Sequence, residues 1–321
     1  MRAASRRSGI PLAEWVDLST GINPHGWPVP RLPPEVWQRL PEEGDGLEVA
    51  AAAYYGSSRL LPVPGSQAAI AALPELVPPT QVACVAPLYR EHPHAWSTRG
   101  HRCVEPSSIE EALEGGASVV VVCNPNNPTA TRLPRVALLA VAAQLAQRNG
   151  WLIVDEAFAD AEPEDSLVAV AGTTAAPNLV VLRSLGKFFG LAGARVGFVF
   201  ASQPLLDRLA ERVGPWAVSG PAREVAKLAL LDAEWQRQTR LELEGASNRL
   251  QQRLARLGPA RATRLFCALR LERAEALAEH LASRGILVRA FPGLPLLRFG
   301  LWATESEWSR LDAALSQWEA R

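Results

Sequence analysis

Val119-Val120-Val121-Val122-Cys123-Asn124-Pro125-Asn126-Asn127-Pro128-Thr129 joins an unbroken apolar run to a polar, turn-forming one. Four valines and a cysteine suit a strand buried on both faces, as in a parallel sheet; asparagine and proline then turn the chain. The same grammar repeats outward. Apolar 152–154 is followed by Asp155-Glu156, apolar 179–182 by the segment Ser184 to Lys187, and 82–85 is a fourth such run upstream. Between two of them, 133–149 carries Pro134 near its start and Asn149-Gly150 as its stop, with Val136, Leu139, Ala140 and Ala143 on one face; this predicts a helix. Strand, helix, strand predicts an α/β fold with a mostly parallel central sheet.

Beyond the sheet the pattern changes. Residues 1–40, rich in proline and tryptophan, read as an arm that packs on something, 41–205 as the large lobe, and 206–321 as a smaller α+β lobe. The small lobe is expected to hold helices over 204–213 and 223–257, strands over 264–271, 285–289 and 296–301, and a closing helix over 305–319.

Composition bounds the function. The chain has 321 residues, 48% hydrophobic and 21% charged, which excludes disordered and fibrous classes. Thirty-three basic residues cancel thirty-three acidic ones, so neither nucleic acid nor an anionic membrane is an expected partner. The longest apolar run, 136–143, is far shorter than a bilayer span, and no targeting segment is evident. Cys84, Cys103, Cys123 and Cys267 form no CxxC pair and the five histidines no recognisable metal set, which points to a reducing cytoplasm and to no metal site.

Each polar cluster follows a strand, and in open α/β sheets ligands sit at the carboxyl ends of strands, so the three are expected to meet in one crevice. That crevice would hold a lysine able to form an imine, an aspartate, an asparagine, a serine, an arginine eight residues beyond the lysine, and a Gly65-Ser66 turn before a helical pattern. This is the set that pyridoxal 5′-phosphate requires. Lys187 would carry the cofactor, Asp155 would keep its pyridine nitrogen protonated, and Gly65, Ser66, Gln67, Ser184 and Arg195 would hold its phosphate.

The ordered motifs Asn124-Pro125-Asn126-Asn127-Pro128-Thr129, Asp155-Glu156-Ala157-Phe158 and Ser184 to Gly197 resemble those of fold-type I pyridoxal-phosphate enzymes, in the class I and II aminotransferase branch. Asp17 to Pro24, Pro64 to Gln67 and Leu297-Arg298-Phe299-Gly300 extend the likeness over nearly the whole chain. They are most similar to a decarboxylating branch that acts on a phosphorylated amino acid and is related to histidinol-phosphate aminotransferase. The resemblance implies that Tyr89 stacks on the cofactor ring and that Asn127 bonds its O3′ and borders the substrate. It also implies that Arg298 grips the substrate carboxylate, that Gly21 and Asn23 border the substrate, and that the protein is a homodimer. An aminotransferase acting on a compound such as histidinol phosphate would share every cofactor ligand, and a non-catalytic scaffold retaining the fold is the reading from another class.

Departures from the pattern are few. Phe158 stands where a tyrosine is frequent, Leu40 where a tyrosine precedes proline, Ala130 where glycine ends the asparagine motif, and Gly186 where threonine precedes the lysine. Leu40 leaves only Tyr54 or Tyr55 to reach a neighbouring subunit's cofactor phosphate. A His-Gly-Gly segment that helps hold the substrate phosphate has no match before Ser8.

Overall fold

Seven strands line up in the larger of two units: β1 (Leu60–Val63), β2 (Gln81–Cys84), β3 (Arg102–Val104), β4 (Val119–Cys123), β5 (Trp151–Asp155), β6 (Leu179–Ser184) and β7 (Gly197–Phe200). This computed structural model describes residues 1–320. The larger unit comprises 27–127 and 131–236, and the smaller 1–26, 128–130 and residues from 237 onward.

The strand order is β1-β7-β6-β5-β4-β2-β3. The five strands from β6 to β3 run parallel, β7 is antiparallel to β6, and β1 is antiparallel to β7. Every residue of β4, β6 and β7 is buried, which is why β4 and β6 read as continuous apolar runs. Register places Cys123 opposite Asp155 and Asp155 opposite Leu182, so β4 and β5 end at one level and β6 runs two residues beyond it. Their polar followers therefore emerge side by side.

The helix after β4 spans Arg135–Ala146 and buries Leu138, Val141, Ala142 and Leu145. The face expected from sequence is wrong: Val136 is 75% exposed. Eight consecutive apolar residues satisfy the helical period on more than one stripe, so periodicity could not choose between them. The expected helix over 223–257 is two helices, Gly220–Leu231 and Ala233–Ala255. Asp232 breaks it: Oδ1 accepts from the Trp235 N–H at 3.0 Å, and Oδ2 from Trp27 Nε1 at 3.0 Å.

In the smaller unit an antiparallel sheet runs Arg289–Ala290, Leu296–Gly300, Phe266–Arg270, Ala260–Thr263. Val16–Asp17 pairs in parallel with Ile286–Leu287, which ties the N-terminal stretch to this unit. The closing helix is Glu305–Glu319, started by a reciprocal cap between Thr304 and Glu307. Among the described residues, no helix is long and apolar enough to cross a membrane.

Candidate active site

The carboxyl ends of β4, β5 and β6 open into a cleft in the larger unit. Asn127, Asp155, Ser184 and Lys187 line it from those strands, and Ser66, Gln67, Tyr89 and Arg195 from neighbouring segments. The crevice expected from the three polar clusters is therefore present, with Cys123, Ala157 and Phe158 completing its walls.

Asp155 ends β5 and is 6% exposed. Its Oδ1 accepts from the Ala157 N–H at 3.0 Å, and its Oδ2 lies 2.9 Å from Nε2 of the buried His92. An ionised carboxylate only accepts, so the His92 tautomer facing it carries the Nε2 proton. His92, Cys123 and Asp155 offer three possible metal-ligand atoms within 4.8 Å of one another. Burial, then the Asp155 charge, pushes the Cys123 thiol well above its ordinary range, which opposes a thiolate ligand. The trio is better described as a carboxylate braced by an imidazole.

Lys187 follows β6, half-buried, its Nζ 5.4 Å from the Phe158 ring centroid. Phe158 thus gives the amine an apolar, polarisable wall where a tyrosine would give a hydroxyl. The loop beyond is held by Trp27, whose N–H donates to the Phe189 carbonyl at 2.8 Å. Gly186 leaves little room: a Cβ there would lie 3.1 Å from the Ala192 Cα.

The phosphate end is built by close approach. Gly65 has φ +76°, and a Cβ on it would lie 2.5 Å from Arg195 Nη2; a Cβ on Gly197 would lie 2.6 Å from the Ser66 nitrogen. Two glycines thus let a cation, a hydroxyl and the first turn of the Ser66–Ala72 helix converge. Arg195 itself holds the left-handed conformation, φ +55°, a strain that over-determined sites retain. The Gln67 side chain is committed sideways, its Nε2 donating to Glu91 Oε2 at 3.1 Å and its Oε1 accepting from the Tyr89 hydroxyl at 3.3 Å.

Of the residues expected to meet substrate, Asn127 lines the cleft of the larger unit, and Gly21, Asn23 and Arg298 lie in the smaller unit. Arg298, between the fully buried Leu297 and Phe299, is half-buried as alternation predicts, and its Nη2 donates to the Ser19 carbonyl at 2.6 Å. Arg289 sits directly opposite it in register. Burial, then Arg289, lowers the Arg298 guanidinium from the ordinary arginine range to about 10. Gly21 is buried, and Asn23 closes a turn, its Oδ1 accepting from the His25 N–H at 2.9 Å. Of the two tyrosines considered as a replacement for Leu40, Tyr55 is buried against Phe198 and Phe200, and only Tyr54 is near the surface.

Sequence reasoning missed His92, Glu91 and Arg289. His92 lies 63 positions from Asp155 and Arg289 is one arginine among many, so neither carries a local signal. A lysine, a carboxylate with a fixed proton-bearing partner, and a cationic, glycine-built turn fit an aromatic aldehyde that carries both a ring nitrogen and a phosphate.

The family model described as aminotransferase class I and II matches residues 13–317, and the chain belongs to that family. Similar proteins include a threonine-phosphate decarboxylase of Pseudomonas aeruginosa, 50% identical over 98% of this chain and 95% of the relative. A threonine-phosphate decarboxylase of Sinorhizobium sp is 41% identical over 99% of this chain and 96% of its own length. Among solved structures, histidinol-phosphate aminotransferase from Sinorhizobium meliloti in complex with pyridoxal-5′-phosphate superposes with a TM-score of 0.84 at 21% identity, covering 98% of this chain and 93% of that one.

Proposed function

We propose that this chain decarboxylates L-threonine O-3-phosphate to (R)-1-aminopropan-2-ol O-phosphate and carbon dioxide, with pyridoxal 5′-phosphate as cofactor, in cobalamin biosynthesis. The observation that carries the reading is 50% identity to a threonine-phosphate decarboxylase over nearly the full length of both chains. The cleft supports it by holding Lys187 and Asp155 together.

When bound, the cofactor supplies an electron sink for the pair left by the departing carboxylate. Lys187 would be the amine that holds the cofactor and, once free, the acid positioned in the cleft to return a proton to the substrate Cα. Asp155, held by His92 and the Ala157 N–H, would pair with the cofactor's ring nitrogen. Arg195, Ser66 and Ser184 would hold the cofactor phosphate, with Gly65 admitting the guanidinium. Asn127 would take the ring oxygen O3′, and Tyr89 the ring face.

The substrate carries two anionic groups, and the smaller unit carries two arginines in register. Like charges directly opposite on adjacent strands are unfavourable, and burial worsens it for Arg298. An incoming dianion reverses that penalty. Arg298 takes the α-carboxylate and Arg289 the phosphate, while Gly21 and Asn23 border them.

The protein acts as a homodimer. In the larger unit Trp37, Leu40, Val49 and Trp216 are each at least 60% exposed. The Glu35–Gln38 and Leu47–Tyr55 helices, which carry Trp37 and Val49, both pack on Gly220–Leu231, and exposed apolar side chains of this kind suit a second copy. Four free thiols suit a reducing cytoplasm.

The test is a product assay with cofactor-loaded protein and L-threonine O-3-phosphate, run beside histidinol phosphate with 2-oxoglutarate. Aminopropanol phosphate from the first is the expected result. Turnover of the second alone would make the protein an aminotransferase.

A further inference from the structure

Two consecutive side chains in the first turn of the Glu91–Thr98 helix bond to residues that line the cleft. His92 braces Asp155; Glu91 faces the other way, towards Gln67. We infer that Glu91 is a positioning residue that fixes, through Gln67, the ring and hydroxyl of Tyr89.

The argument is one of hydrogen-bond direction. Ionised Glu91 can only accept, so the amide nitrogen of Gln67 must face it, as the 3.1 Å contact has it. The Gln67 carbonyl oxygen is then the end left for Tyr89, and an oxygen acceptor can be completed only by the tyrosine O–H, at 3.3 Å. Each link decides the next. Tyr89 is 39% exposed, and its ring meets His92 edge-on with the centroids 6.2 Å apart. The backbone supports the arrangement, since the His92 N–H donates to the Tyr89 carbonyl and Asn126 Nδ2 to the Pro87 carbonyl.

Two consequences follow. With its proton committed to Gln67, Tyr89 presents lone pairs to the cleft and donates nothing to an anion there, which leaves the cofactor phosphate to Ser66, Ser184 and Arg195. Burial and the charges of Glu91 and Asp155 raise the Tyr89 phenol above 10, so it holds that proton across the working range. With Glu91 replaced by an apolar residue, Gln67 is free to flip and Tyr89 to rotate.

The inference rests on the reading of Tyr89 as the ring platform, and a double-mutant cycle separates the two. Holoenzyme forms of Glu91→Leu, Glu91→Gln, Tyr89→Phe and Glu91→Leu/Tyr89→Phe are compared by kcat/KM and by the visible absorption maximum of the bound cofactor. Glu91→Leu is expected to lower kcat/KM about tenfold, the loss of one part-buried hydrogen bond to a charged group, and to shift the band. Glu91→Gln keeps an acceptor and is expected to restore both. In the Tyr89→Phe background, Glu91→Leu is expected to cost less than twofold more. An equal tenfold loss in both backgrounds, or no loss in either, would overturn the relay. If Tyr89→Ala also left the band and activity unchanged, the failure would lie in the platform reading instead.

Discussion

His92 Nε2 and Asp155 Oδ2 lie 2.9 Å apart in a setting where both side chains are almost fully enclosed. A buried carboxylate without that donor loses about 1–3 kcal/mol. His92→Ala is therefore expected to weaken cofactor binding and kcat/KM roughly 10- to 100-fold, and a variant that restores a donor, His92→Gln, to recover part of both. Spectrophotometric titration of apoprotein with pyridoxal phosphate measures this; unchanged affinity in His92→Ala would show the contact to be idle.

Arg298 and Arg289 are expected to divide the substrate between them. Arg298→Ala raises KM at least tenfold while leaving the imine absorbance in place, because the cofactor cradle lies in the other unit. Arg289→Ala lowers the preference for L-threonine O-3-phosphate over L-threonine. Competition between the two compounds reads this directly, and an unchanged preference would remove Arg289 from the phosphate role.

The pH behaviour of Arg298 has a definite sign. Folding lowers its pKa from the ordinary arginine range to about 10, so the native state releases this proton more readily than the unfolded chain. The burial penalty is in force at neutral pH and is relieved as pH rises through about 10, where the cation needed for binding is lost. Substrate KM is thus expected to stay flat between pH 7 and 9 as far as this group is concerned, and to climb above 10.

Ala130 is 2% exposed and sits at φ +57°, a left-handed conformation that costs a residue with a Cβ about 1–2 kcal/mol. Ala130→Gly removes the strain but frees the unfolded chain, leaving a net gain of about 0.5–1 kcal/mol. A higher thermal midpoint is expected, with turnover unaffected; a lower one would mean that the methyl group packs to more effect than the strain costs.

Trp37→Glu places a charge on a side chain that is 67% exposed in the isolated chain. If that surface meets a second copy, the variant dissociates at concentrations where the parent is dimeric, as sedimentation velocity would show. A monomeric parent would dispose of the dimer altogether.

What the sequence made legible has a physical pattern. β4 and β6 were readable because strands buried on both faces leave uninterrupted apolar runs. β1 was not, since Pro62 interrupts it, nor was three-residue β3 at the sheet edge. The helix break at Asp232 depends on Trp27, 205 positions away, and no local window contains both. The cradle was legible because Lys187, Arg195 and the residues after β4 and β5 follow strands whose ends the sheet aligns. His92 and Glu91 were not, because their roles exist only once two distant segments meet.

The central claim is tested most directly by the fate of the substrate carboxyl carbon. Cofactor-loaded protein with L-threonine O-3-phosphate labelled at C1 is expected to release that label as carbon dioxide, one for each aminopropanol phosphate formed, while Lys187→Ala releases none and lacks the imine band. Label retained in a 2-oxo acid, or release undiminished in Lys187→Ala, would contradict the account.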